Sequence, residues 1–94
     1  MKKVLANDGI DAAGKAILER AGFTVITEKI AQENLVSYIN AEQISVILVR
    51  SATQVRADII DNCPSLKVIG RAGVGMDNID VAYAREKGLT VLNT

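Results

Sequence analysis

The sequence contains no histidine, no tryptophan, one cysteine and only three aromatic residues among its 94 residues. Histidine is the commonest general acid or base in enzymes, so its absence argues that this polypeptide alone does not complete a proton-transfer reaction. The single cysteine, Cys63, excludes an internal disulfide and a cysteine-based metal cluster. With so few aromatic residues, the core has to be built from Val, Ile, Leu and Ala, which suits layered α/β packing.

An excess of charge of either sign is also lacking, because 11 basic residues are balanced by 11 acidic ones. There is no basic field to attract nucleic acid or an anionic membrane, so we expect neither partner. The first residues, Met1-Lys2-Lys3, lead straight into a short apolar strand rather than a signal-peptide core, and no apolar run is long enough to cross a membrane. We therefore expect one domain, residues 1–94, in a reducing cytoplasm.

Strand and helix signals alternate along the chain with short connections, a pattern typical of a parallel sheet covered on both faces. The predicted strands lie at 3–6, 23–26, 45–49, 66–69 and 89–92, and the predicted helices at 10–21, around 35–39, at 55–63 and at 78–87. Short right-handed crossovers favour an α/β, flavodoxin-like, doubly wound five-stranded sheet of order 2-1-3-4-5. Gly22 and Gly88 each follow a helix and precede a strand, so we expect left-handed conformations there.

Ligands of such sheets bind beyond the carboxyl ends of the strands, where the loop following the third strand begins with Arg50. A charge that ends a buried strand needs either water or a partner, and a guanidinium suits a phosphate or carboxylate. Two interpretations remain open, an anion contact or a side chain that reaches solvent. Thr53, in the same loop, is predicted to cap the next helix.

A glycine-rich loop, residues 70–78, follows the fourth predicted strand. It contains three glycines: Gly70, Gly73 and Gly75. Glycines permit positive φ and bring bare N–H groups close to a ligand, so the loop is typical either of main-chain binding of a small carboxylate or phosphate, or of a tight turn without a ligand. Asp77 and Asn78 are expected to cap the helix that follows.

Two more specific motifs are not matched by these loops. The dinucleotide fingerprint G-x-G-x-x-G is absent, because Asn78 stands where its third glycine is required. A phosphorylated receiver domain shares the predicted fold but carries an acceptor aspartate and a lysine where this chain has Arg50 and Asn93. Neither a nucleotide site of its own nor phosphotransfer signalling is therefore expected of this chain.

Three segments, 49–53, 66–80 and 87–94, together resemble the amino-terminal part of the NAD-dependent D-2-hydroxyacid dehydrogenases. The resemblance implies oxidation of a small anionic D-2-hydroxy acid, with 3-phospho-D-glycerate favoured, by hydride transfer to NAD. It also implies a homo-oligomeric parent protein in which the substrate lies between this domain and a nucleotide-binding domain that follows Thr94. Residues 1–94 would then be an incomplete piece, a substrate-binding domain that is inactive alone.

The resemblance assigns substrate contacts to six positions: Arg50, Ser51, Ala52, Gly73, Val74 and Gly75. The glycine-rich loop would present main-chain amides to the substrate carboxylate, and Val74 would also lie near the nicotinamide of NAD. The catalytic residues of the family would lie in the second domain, so no catalytic residue and no metal ligand is assigned to this chain. The alternative is a non-catalytic binding or oligomerisation module of the same fold.

Overall fold

The computed structural model describes residues 2–50, 52–71 and 78–93. The strands are β1 (Lys3–Ala6), β2 (Thr24–Ile26), β3 (Ile44–Val49), β4 (Val68–Arg71) and β5 (Thr90–Asn93). The helices are α1 (Ala12–Arg20), α2 (Leu35–Glu42), α3 (Ala57–Asn62) and α4 (Val81–Glu86), with a 3-10 turn at Gln32–Asn34. Within the described ranges, no helix is long and apolar enough to span a bilayer.

The five strands form one parallel sheet of order β2-β1-β3-β4-β5, which confirms the predicted fold and strand order. One row of register partners crosses four strands and is almost completely buried: Leu5, Ile47, Ile69 and Val91. Buried residues of α2, α3 and α4 belong to the same cluster. Because successive strand residues point to opposite faces, this row defines the covered face of the sheet.

The opposite face of the sheet is covered less completely. The next row of register partners contains Leu48, Gly70 and Leu92, and the Leu92 side chain is 54% exposed. Helix α1 contributes no buried residue, and its Ile17 is 63% exposed. The apolar core of the described residues therefore lies chiefly on one side of the sheet.

The two predicted left-handed glycines are confirmed, with φ of +97° at Gly22 and +90° at Gly88. No atom lies within 4 Å of the Cβ that a substitution would add at either position, so the cost of a side chain there comes from the backbone alone. We expect Gly88→Ala to lower the free energy of unfolding by about 1 to 2 kcal/mol in urea titrations.

Gly88→Asn is the matched control, because asparagine tolerates the left-handed region better than alanine does. It should cost less than Gly88→Ala. A larger loss for the asparagine variant would contradict the backbone explanation.

The structure corrects the predicted start of α3. The helix begins at Ala57 rather than at residue 55, because Val55 forms an isolated parallel bridge with Ile79. The predicted cap at Thr53 is also wrong, since the Thr53 hydroxyl is buried and bonded to Asp8. The first free amide of the helix, that of Ala57, is instead bonded by the Asp80 carboxylate at 3.0 Å.

The structure also corrects the predicted start of α4. The helix begins at Val81 rather than at residue 78. The Asn78 side chain does not cap this helix, because it donates to the carbonyls of Arg50 and Thr53 after β3. The expected capping role of Asp77 lies outside the described residues. The strands lie within two residues of their predicted positions, and the largest shift is that of β4, predicted at 66–69 and found at Val68–Arg71.

Candidate functional site

The two loops that the sequence singles out are hydrogen-bonded to each other at the carboxyl edge of the sheet. The β3 loop is residues 50–56, with residue 51 outside the described ranges, and the glycine-rich loop ends at Asn78. The Val55 N–H donates to the Asn78 carbonyl at 2.8 Å, and the Asp80 N–H donates to the Val55 carbonyl at 3.0 Å. The end of the glycine-rich loop is therefore fixed against the β3 loop by main-chain bonds.

The Asn78 side chain strengthens this connection. Its amide nitrogen donates to the carbonyl of Arg50 at 2.8 Å and to that of Thr53 at 2.6 Å. Its amide oxygen accepts from Arg71 Nε at 2.8 Å, and the same Nε lies 3.1 Å from the Arg50 carbonyl. Asn78 is only 6% exposed, so one buried side chain links the β3 loop to the last residue of β4.

Asp8, in the loop after β1, holds the other side of the β3 loop. Its Oδ2 accepts from the N–H of Arg50 at 2.7 Å and from that of Thr53 at 3.0 Å. Its Oδ1 accepts from the Thr53 hydroxyl at 2.6 Å and from Lys29 Nζ at 2.5 Å. Burial opposes ionisation of this carboxyl, but the hydrogen bonds outweigh burial and hold the pKa of Asp8 well below its usual value.

The lowered pKa predicts a pH dependence of stability. Asp8 contributes its full stabilisation above the ordinary carboxyl pKa of about 3.9, and this contribution is lost as the pH falls below that value towards the folded-state pKa. The free energy of unfolding of the natural chain should exceed that of Asp8→Asn by a constant amount above about pH 5, and the difference should shrink below it. A difference that grows on acidification would contradict this assignment.

Asn7 extends the network behind the loop. It exchanges two hydrogen bonds with the main chain of Ile30, at 2.7 and 3.0 Å, and donates to the Thr53 hydroxyl at 2.9 Å. Asn7 and Thr53 are 3% and 2% exposed. The β3 loop is therefore supported by a buried and fully hydrogen-bonded set of polar groups.

The Arg50 side chain itself is exposed, although its main chain is held at both the N–H and the carbonyl. In the part of the chain that the structure describes, no carboxylate forms an ion pair with its guanidinium. Ala52 is exposed in the same loop. The remaining predicted substrate contacts lie outside the described residues: Ser51, Gly73, Val74 and Gly75.

An open cavity of about 490 Å³ lies beside these loops, on the less covered face of the sheet. Its wall contains the row on that face, residues that follow β1, and the ends of β3 and β4: Gly9, Ile10, Asp11, Leu48, Val49, Arg50, Gly70, Arg71 and Leu92. A small anion needs convergent donors, and this wall is mainly apolar. We therefore place the candidate anion site at the loop edge, around Arg50, rather than inside the cavity.

Sequence reasoning missed three residues of this site: Asp8, Arg71 and Asn78. Asp8 carried a usable signal, because it lies two residues after a predicted strand, close to the kind of position that drew attention to Arg50. Arg71 likewise lies two residues after the fourth predicted strand. Asn78 was assigned to a helix cap by its residue type, and nothing in its local sequence indicates its distant carbonyl partners.

Comparison with known proteins identifies relatives of this chain. The family described as D-isomer specific 2-hydroxyacid dehydrogenase, catalytic domain, matches residues 4–94. Hydroxypyruvate reductase of Thermotoga maritima is 43% identical over 93 residues, covering 98% of this chain and 30% of the relative. D-3-phosphoglycerate dehydrogenase of Methanocaldococcus jannaschii is 43% identical over 93 residues, covering 99% of this chain and 17% of the relative.

Solved structures give the same result. The crystal structure of NAD+-bound 3-phosphoglycerate dehydrogenase from Entamoeba histolytica superposes with a TM-score of 0.79 and 29% identity. The match covers 100% of this chain and 32% of that one. This chain thus spans less than a third of the length of each of these three proteins.

Proposed function

The chain belongs to the D-isomer specific 2-hydroxyacid dehydrogenases, and we propose that residues 1–94 are the substrate-binding part of a member that oxidises 3-phospho-D-glycerate with NAD. The relatives named D-3-phosphoglycerate dehydrogenase support this substrate. The proposal assigns the parent protein to L-serine biosynthesis, as a cytoplasmic homo-oligomer. A second candidate is reduction of hydroxypyruvate, which the name of the Thermotoga maritima relative favours.

The observation that carries the proposal is that the main chain of Arg50 is held by hydrogen bonds while its side chain is exposed. Its guanidinium is exposed at the carboxyl edge of the sheet, while its main chain is held by Asp8 and Asn78. Arg71 belongs to the neighbouring strand, and its Nε donates to the Arg50 carbonyl. A cationic side chain on a fixed main chain suits an anionic substrate group at this edge, because the backbone of Arg50 need not be ordered when the contact forms.

The proposed division of labour follows from the two anionic groups of a phosphorylated hydroxy acid. Arg50 would bind one of them, with Ser51 and Ala52 beside it. The proposed main-chain amides of Gly73–Gly75 would bind the substrate carboxylate. The resulting two-point attachment would orient the C2–H bond, and orientation of reacting groups is a large part of catalysis in bisubstrate reactions.

The residues of this chain do not by themselves fit a dinucleotide. Its glycine spacing departs from G-x-G-x-x-G at Asn78, as noted above. We therefore propose that NAD is bound mainly by a separate domain, with Val74 near its nicotinamide. NAD would supply the hydride acceptor, and this chain would bind and orient the hydroxy acid.

Substrate assays test the proposal in the full-length protein. We expect the highest kcat/KM for 3-phospho-D-glycerate in the oxidative direction, and a much lower value for D-glycerate, which lacks the phosphate. The 94-residue chain alone should produce no NADH above background. Faster turnover of hydroxypyruvate than of the phosphorylated substrate would favour the second candidate, and turnover by the chain alone would contradict the proposed division between domains.

Binding by the chain alone should be weak. Half of a cleft leaves the ligand solvated on one side, so the dissociation constant for 3-phospho-D-glycerate should exceed about 1 mM. NMR titration would measure it, with shifts expected at the amides of Arg50 and Thr53 and lost in Arg50→Ala. A dissociation constant in the micromolar range would contradict this prediction.

A further inference from the structure

Two side chains, those of Asp8 and Asn78, form hydrogen bonds with the main chain of the same two residues of the β3 loop, Arg50 and Thr53. Asp8 accepts from the N–H groups of Arg50 and Thr53, at 2.7 and 3.0 Å. Asn78 donates to the carbonyls of the same two residues, at 2.8 and 2.6 Å. We call these two side chains the loop clamp.

We propose that the loop clamp is a pair of positioning residues, which act on the substrate through Arg50 and Arg71 rather than by touching it. This inference deepens the proposed function and rests on it. Asp8 and Asn78 hold the N–H and the carbonyl of Arg50, so that its side chain extends from a fixed point at the loop edge. Asn78 also orients the second arginine, because its amide oxygen accepts from Arg71 Nε at 2.8 Å.

The two residue types of the clamp match the groups that they bind. Two converging N–H groups require an acceptor, and a carboxylate oxygen is the strongest one available in a side chain. Two converging carbonyls require a group with two hydrogens, which Asn78 provides and a carboxylate does not. Asn78→Asp keeps the size of the side chain but directs an oxygen against the two carbonyls. Asp8→Asn keeps an oxygen for the two N–H groups but directs its amide hydrogens against Lys29 and the Thr53 hydroxyl.

The polar groups of the clamp are also paired within the chain. Lys29 and the Thr53 hydroxyl occupy the second oxygen of Asp8, and Asn7 in turn donates to that hydroxyl at 2.9 Å. No buried side-chain nitrogen or oxygen among the described residues lacks a hydrogen-bond partner. A preorganised loop of this kind favours substrate affinity, because the ordering cost is met during folding.

The test compares Thr53→Val with Thr53→Ser in the full-length protein. Valine keeps the shape of threonine without the hydroxyl that bonds Asp8, whereas serine keeps the hydroxyl. Thr53→Val should raise KM for 3-phospho-D-glycerate about tenfold and leave KM for NAD unchanged, and Thr53→Ser should stay within about twofold of the natural protein. Asn78→Asp should show the same selective rise in KM, and Asp8→Asn a smaller one, because its amide oxygen can still accept from the two N–H groups.

Two kinetic outcomes would overturn the inference. One is an unchanged KM for the hydroxy acid in a folded Thr53→Val or Asn78→Asp variant. The other is an equal rise in KM for both substrates without rescue by Thr53→Ser, which is what general loosening of the fold would produce.

An NMR measurement keeps the inference testable if the variants fail to fold. In the unmutated 94-residue chain, scalar couplings across hydrogen bonds should link the amides of Arg50 and Thr53 to the Asp8 carboxyl carbon. Absence of both couplings overturns the clamp even if the full-length protein oxidises 3-phospho-D-glycerate. Couplings present in a protein that oxidises no hydroxy acid would instead overturn the proposed function and, with it, the role of the clamp in binding.

Discussion

Arg50→Ala in the full-length protein is expected to lower kcat/KM for 3-phospho-D-glycerate by ten- to a hundredfold. The substitution removes the proposed charge-assisted contact to an anionic substrate group, and such a contact is typically worth about 1.5 to 3 kcal/mol. The free energy of unfolding should hardly change, because the guanidinium is exposed and the Arg50 main chain keeps its bonds to Asp8 and Asn78. Steady-state kinetics and urea titrations would measure the two quantities.

Two control variants sharpen this prediction. Arg50→Lys retains the positive charge but loses the planar pair of donors, so an intermediate loss of kcat/KM is expected. Arg20→Ala removes an exposed arginine at the end of α1, away from the loop edge, and should leave kcat/KM unchanged. If Arg50→Ala keeps full kcat/KM while losing stability, Arg50 is a structural residue at a strand end and its assigned contact is wrong.

The sheet could be predicted from the sequence because its determinants are local. Short apolar segments such as 45–49 recur between helical segments, and short connections leave few parallel arrangements open. Gly22 and Gly88 mark two helix ends through the left-handed conformation that glycine adopts most easily. The order β2-β1-β3-β4-β5 follows from these elements and the handedness of their crossovers.

The polar part of the site could not be predicted in the same way, because its partners are distant in sequence. Asn78 bonds carbonyls 25 and 28 residues away, and Asp8 bonds an amide 42 residues away. Local propensity assigns an asparagine before a helix to a cap, whereas tertiary partners decide its role here. The same tertiary bonding draws Val55 into a bridge with Ile79 and delays the start of α3.

The largest loss of stability is expected from Ile69→Ala. Ile69 has no exposed surface, lies in β4 within the buried row, and precedes Arg71 by two residues. Truncating a buried isoleucine to alanine costs about 2 to 5 kcal/mol, and the shorter change Ile69→Val costs about 0.5 to 1.5 kcal/mol. Urea titrations would measure both, with Leu92→Ala as a control on the less covered face, where a loss of about 0.5 kcal/mol or less is expected.

These variants separate folding from binding in one protein. Domains of ordinary size are stable by about 5 to 15 kcal/mol, so Ile69→Ala would remove a large share of the total. Per folded molecule, however, it should leave kcat/KM close to that of the natural protein, because the anion site does not include its side chain. Arg50→Ala should give the reverse pattern. Equal losses for Ile69→Ala and Leu92→Ala would mean that the buried row is not the core of the fold.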